Sequence, residues 1–341
     1  MTQTLIESAS VTTGMHRVVR AVYASRSRID GPIYQQMESI RRSAMRHNLP
    51  SGIHTALLWQ AGWFIQWREG AARPMQALMA RIAGDWRHHG LCVVHVSEGP
   101  RLLDGPWSMS IVTDGESPEA MAGRVAQARA AMESRAQYSP TEVWRRLSMP
   151  AQQGDGDGDD PEAYQRVLLA SAVGQVAFEM GRWLARRKGR ALEHRRFAGL
   201  EMDVATESVD LRCGDWPMRI VAMSRKGLAL PLTRALMRGH SHLVLLLCEQ
   251  PDRNRLLLER VGQACAAMRR SPTVIGVGLD AGEHAALFAQ ARRERLVYLD
   301  ARADPLDFEG CWATLRPLLR VWHEARQAGG ALGLARCYDE D

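Results

Sequence analysis

The chain has 341 residues, 46% of them hydrophobic and 24% charged, with a formal net charge of +6. That length accommodates two cores, and the composition is that of an ordinary globular protein rather than a disordered or fibrous one. The charge permits acidic partners without demanding nucleic acid, and the lack of any run of about 18 apolar residues excludes a membrane-spanning helix.

Residues 1–14 have no basic segment followed by an apolar one, so they read as a disordered lead-in and not as a signal peptide. The six cysteines, Cys92, Cys213, Cys248, Cys265, Cys311 and Cys337, form no CxxC pair, and most lie in apolar runs. Buried thiols in a reducing cytoplasm fit this better than a disulfide frame or a zinc site. Residues 15–24 read as a first strand. Ile33, Met37, Ile40, Ala44 and Met45 recur at helix spacing, with Pro32 suited to the first turn. Residues 52–70 then alternate as two strands around Gln60-Ala61-Gly62. Gln66 is an amide inside an apolar run. It either faces solvent or points at something that needs an amide.

A second helix is predicted from Pro74, with Met75, Leu78, Met79, Ile82 and Trp86 as its stripe and Arg87-His88-His89-Gly90 as its end. Two strands follow, LCVVHVSEG and WSMSIV. The order β-α-β-β-α-β plus one strand is a ferredoxin-like split βαβ arrangement over residues 15–115. Residues 116–149 read as a helical connector. Residues 150–162 read as a Gly/Asp linker, because the alternating Asp155, Asp157 and Asp159 fail the calcium-loop template at Asp160 and Arg166.

From 163 to 330 strands and helices alternate, which predicts a second, doubly wound, mostly parallel α/β domain, with 331–341 as a tail. The basic run from Arg182 to Arg196 reads as a solvated helix end and loop rather than a nucleic-acid patch. LALPLTRALMRG fits a protein-docking helix as well as a core helix.

Five blocks in order resemble the BLUF family, the blue-light sensors that use FAD. They are Tyr23-Ala24-Ser25 at a first strand, Arg46-His47-Asn48 followed by Gly52-Ile53, and the hairpin segment from Gly62 to Gly70. Arg81-Ile82-Ala83-Gly84-Asp85-Trp86-Arg87-His88 and Trp107-Ser108-Met109 complete the set. The resemblance implies an FAD site in which Tyr23 and Gln66 are the photochemical pair. Asn48 would bond the ring edge, Arg87 and His88 would lie towards the flavin and its phosphates, and Trp107 and Met109 would relay the signal. His54-Thr55, Trp67-Arg68 and Ala44 depart from the family pattern, with His54 and Trp67 bringing bulk beside Gln66.

The second domain resembles a Ras-like P-loop GTPase of the bacterial gliding-motility type with its motifs degraded. An unrelated doubly wound domain is the alternative. Ser171, Val176, Ala177 and Phe178 stand where a phosphate loop needs Gly, Gly, Lys and Ser/Thr. The region where the family has an Asp-containing switch is Met223-Ser224-Arg225-Lys226, which lacks the Asp, and the base-reading motif is reduced to Gly278-Leu279-Asp280. No metal site and no cyclase, EAL or kinase signature is present. The expectation is a cytoplasmic, non-enzymatic FAD photoreceptor whose second domain binds a partner protein or a second copy, with no nucleic acid and no membrane. The rival is a light-insensitive scaffold that has lost its flavin.

Overall fold

The computed structural model describes residues 17–112, 116–149, 163–198, 203–214 and 216–331. The lead-in 1–14, the linker 150–162 and the tail from 332 onwards lie outside the described residues.

The N-terminal unit runs β1 (Val18–Ser27), α1 (Ile33–His47), β2 (His54–Gln60), β3 (Trp63–Gly70), α2 (Ala72–Ala83), β4 (His88–Gly99) and β5 (Trp107–Val112). Its strands lie in the order β5-β2-β3-β1-β4. β1 is antiparallel to β3 and β4, while β2 is antiparallel to β3 and parallel to β5. This is the ferredoxin-like arrangement. The β2–β3 reversal uses two residues, Ala61 and Gly62, at φ 48 and 73. Both are left-handed, as a tight hairpin with right-twisted strands requires. Gly62 adopts this freely and Ala61 against its Cβ.

Helix α2 is shorter than its apolar stripe predicts. It ends at Ala83, and Trp86 is exposed. Asp85 Oδ1 accepts a hydrogen bond from the Arg87 backbone N–H at 3.0 Å. That local turn competes with the helical ladder. Arg87 therefore sits in a turn and His88 opens β4, whereas the sequence reading placed both at a helix end.

The chain continues through α3 (Pro118–Glu133) and α4 (Pro140–Ser148). Helix α4 begins in a capping box. Ser139 Oγ accepts from Glu142 N–H, and the Glu142 carboxylate accepts from Ser139 N–H. The remaining elements are β6 (Gln165–Ser171), α5 (Val176–Lys188), β7 (Glu193–Ala198), β8 (Asp203–Cys213), β9 (Trp216–Met223), α6 (Pro231–Met237), β10 (His242–Leu246), α7 (Pro251–Cys265), β11 (Thr273–Val277), α8 (Ala281–Arg293), β12 (Tyr298–Ala301) and α9 (Phe308–Ala331).

The C-terminal sheet differs from the expected doubly wound parallel one. Five strands, in the order β12-β11-β10-β6-β9, are parallel. β8 then pairs antiparallel with β9, and β7 antiparallel with β8. β7 also pairs antiparallel with β5, so one mixed sheet of 12 strands runs through both units. β7 is the element that sequence reading assigned to a helix end and loop. Its polar sequence hides it, yet Arg195 lies buried in the sheet, paired with Glu193 and donating to the Ser148 carbonyl. A charged strand is tolerated in the interior when its charges are paired.

Helix α6, which the sequence left open between docking and core, is core. Leu232, Ala235 and Leu236 pack in one buried cluster with Val22, Trp67 and Trp144. Leu232 N–H donates to Ser108 Oγ of β5 at 3.1 Å, and Arg234 pairs with Asp104 at 2.6 Å. Two further clusters cover the opposite faces of the C-terminal strands.

Burial pushes the imidazoles of His95, His240 and His242 down to about 4. Each folded value lies below the unfolded value near 6.5. Their contribution is therefore complete above pH 6.5 and is lost as pH falls towards 4. Thermal melts should show a falling midpoint across that window. A midpoint that rises on acidification would contradict the assignment.

Candidate functional site

The register of the N-terminal strands assembles the site. Tyr23 of β1 lies opposite Gln66 of β3, Gln66 opposite Leu57 of β2, and Leu57 opposite Met109 of β5. The next row is Ala21, Arg68, Thr55 and Trp107. Residues directly opposite across a sheet share a face, so Tyr23, Gln66, Arg68, Trp107 and Met109 all point to the side covered by α1 and α2.

Between that face and the two helices lies a cavity of about 190 Å³. Asn48, Gln66, Arg68, Arg81, Arg87 and His88 line it. The Tyr23 hydroxyl donates to Gln66 Oε1 at 2.7 Å, fully buried. Burial pushes this phenol up to about 12, so it stays a neutral donor. Asn48 closes the C-terminus of α1. Its backbone carbonyl accepts from Ile53 N–H, and its side-chain amide stands on the cavity wall with no hydrogen bond among the described residues. Arg87 is tied to Asp85, with Nε 2.8 and 3.0 Å from the two carboxylate oxygens. Burial lowers the His88 imidazole, which favours its neutral form, and its Nδ1 has no hydrogen-bond partner among the described residues.

The cavity therefore carries an unpaired amide, an unpaired imidazole nitrogen and three arginines. Buried polar atoms without partners are costly. This donor set suits a flat ligand with carbonyl and ring-nitrogen acceptors and an anionic tail. FAD has that chemistry, and Asn48, Gln66, Arg87 and His88 are the wall residues that fit it.

The structure brings together five of the seven residues singled out from sequence: Tyr23, Asn48, Gln66, Arg87 and His88. Trp107 and Met109 are buried on the same face, but Leu57 stands between Gln66 and Met109, and neither relay residue lines the cavity. The two bulky departures are elsewhere. His54 approaches the Leu103 carbonyl through Nδ1 at 2.5 Å. Trp67 is on the opposite face, 6.2 Å from Trp144 between ring centroids. Reading Trp67 as a neighbour of Gln66 overlooks strand alternation, which sends adjacent residues to opposite faces. The same alternation points to Arg68, two residues on, as the missed site residue.

A search of curated proteins finds no match. Among solved structures, the dark state of BlrB, a BLUF protein, is 22% identical, with a TM-score of 0.28 over 39% of this chain and 94% of its own. The photo-activated state of BlsA is 19% identical, with a TM-score of 0.29 over 40% of this chain and 99% of its own. A bacterial light-regulated adenylyl cyclase is 13% identical, with a TM-score of 0.26 over 72% of this chain and 67% of its own. Residues 18–110 match the family model of BLUF, the sensors of blue light using FAD, and that stretch contains Tyr23, Asn48, Gln66, Arg87, His88, Trp107 and Met109.

Proposed function

We propose that this protein senses blue light through FAD held in the cavity between α1, α2 and the sheet. The carrying observation is the buried 2.7 Å hydrogen bond from Tyr23 to Gln66 at the wall of that cavity. When bound, FAD supplies light absorption and an excited state that takes an electron. The protein's part is to hold Tyr23 protonated beside Gln66, to exclude water and to keep an amide that can exchange its hydrogen bonds. An amide offers both a donor and an acceptor, so turning or tautomerising it changes the bonding around it with no net reaction. In a dry site every group must be re-satisfied, which favours two discrete arrangements over a continuum.

The output reading is that β5 carries the change into the C-terminal strands, which act by binding a protein partner and not by turnover. β5 is flanked by β2 on one side and β7 on the other. The degraded phosphate loop supports a binding role. Ala177, at the lysine position, is fully buried in the core, and Phe178 packs against the same cluster. Arg225 Nη1 donates to the Ala172 carbonyl at 2.6 Å, within the loop that follows β6. A phosphate cradle needs N–H groups and a lysine there.

Purified full-length protein is expected to be yellow and to show a small, reversible red shift of its flavin band under blue light. Colourless protein that takes up no FAD on refolding would favour the light-insensitive scaffold. For the output, filter binding of labelled GTP to the full chain should stay at background. Saturable retention would remove the binding-module reading.

A further inference from the structure

We propose that Arg68 is the residue that biases the Gln66 amide towards one orientation and so limits the lifetime of the light state; this rests on the flavin reading above. Arg68 and Gln66 stand two apart on β3 and share a face. The Arg68 side chain is buried against the cavity and lines it. Its Nε donates to Gln66 Oε1 at 3.2 Å, and its Nη2 donates to the same atom. Its guanidinium carbon lies 5.8 Å from the centre of the Tyr23 ring.

A guanidinium has five N–H donors and no acceptor, and it does not deprotonate in a protein. The end of Gln66 that faces it must therefore be the carbonyl oxygen. The Tyr23 hydroxyl donates to the same oxygen. Two donor residues thus converge on one acceptor, and the amide nitrogen is left without a hydrogen bond among the described residues. Rotating the amide would turn its NH₂ towards the guanidinium. Tautomerising it would put a hydroxyl proton on the oxygen that Arg68 now contacts. The rotated form sets a donor against a buried, charged donor, and the tautomer replaces a strong carbonyl acceptor with a hydroxyl oxygen that is a weaker acceptor and carries its own proton. The cost is that of a charged group losing its acceptor, larger than for a neutral pair. Arg68 Nη1 is already buried without a hydrogen bond among the described residues, so the guanidinium has few acceptors to lose. The switched amide is thereby made the unstable one, and return to the resting arrangement is fast.

The test uses the full-length flavin-bound protein with Arg68→Leu and Arg68→Lys. Leu matches a buried apolar setting, and replacing a buried charge with an apolar residue is often neutral or stabilising. After a blue-light pulse, the red-shifted state of Arg68→Leu should persist at least about 10-fold longer than wild type, the ratio expected for one lost charge-assisted bond. Arg68→Lys, which keeps a cation without the fork, should fall between the two. Should Leu cost the flavin, Arg68→Met keeps the length without the donors and is compared with Lys in the same way. An unchanged or shortened lifetime in the Leu or Met variant overturns the proposal while the flavin reading stands. Wild-type protein that binds no FAD overturns both.

Discussion

Gln66→Leu is expected to leave a yellow protein that no longer shows any light-induced red shift. Leucine is close in size and sits in a site already walled by Phe64, Leu78 and Ile82. What it removes is the one acceptor shared by the Tyr23 hydroxyl and the Arg68 guanidinium. Gln66 Oε1 is the only acceptor that the Tyr23 hydroxyl has among the described side chains, and Asp85, the carboxylate on the same cavity wall, is already tied to Arg87. Without an amide there is no second hydrogen-bond pattern for the site to occupy. The loss should therefore be complete rather than graded. Stability should fall by about 1–3 kcal/mol, since two buried donors lose their partner. Absorption difference spectra before and after a blue pulse read the first effect, and thermal melts in the dark read the second. A shift that survives with wild-type amplitude would remove Gln66 from the mechanism. Tyr23→Phe, which keeps the ring and deletes only the donor, should also abolish the shift.

The elements that carry the site were legible in local periodicity, whereas the roles given to Tyr23, Gln66 and Asn48 came from the resemblance to the BLUF family. Tyr23 and Gln66 lie on strands whose alternation is clear, while their pairing across β1 and β3 is a long-range register that the β2–β3 hairpin turn does not set. Asn48 was legible as the end of a well-patterned helix. The errors came where sequence neighbours were taken as spatial neighbours. Trp67 touches Gln66 along the chain but points to the other side of the sheet, and Arg68 is the true flank. The largest omission was β7. EHRRFA carries the charge of a surface loop, and only long-range pairing with β5 and β8 makes it a strand. Strand propensity reflects the partners a segment finds, which no local window contains. Helix α6 was ambiguous for the same reason. Its apolar face is explained by distant residues of one buried cluster, Trp67 and Trp144 among them.

Trp144→Ala is expected to destabilise both units together, by about 3–5 kcal/mol, lowering the melting midpoint of the single transition by roughly 5 °C. Trp144 is among the largest fully buried side chains, and its cavity would open between α4, β3 and α6. Two weakly docked units would melt in separate steps. Here the β5–β7 ladder makes the sheet continuous, and one buried cluster includes Val22 and Trp67 from the N-terminal unit with Leu232 and Leu236 from the C-terminal unit. Flavin release, far-ultraviolet ellipticity and tryptophan fluorescence should report one coincident transition in wild type. In the variant all three should move down by the same amount. Flavin release that stays at the wild-type temperature while ellipticity drops would show that the two units are energetically independent. That outcome would also weaken the proposed signal route. A strand with a free edge can relax a displacement into solvent, whereas β5 has no free edge: it is paired with β2 beside the Gln66 row and with β7 on the far side. A packed interface of this kind moves between discrete arrangements. A shift of β5 driven from the Gln66 row must then be taken up by β7, by α6 through its bond to Ser108, or by both.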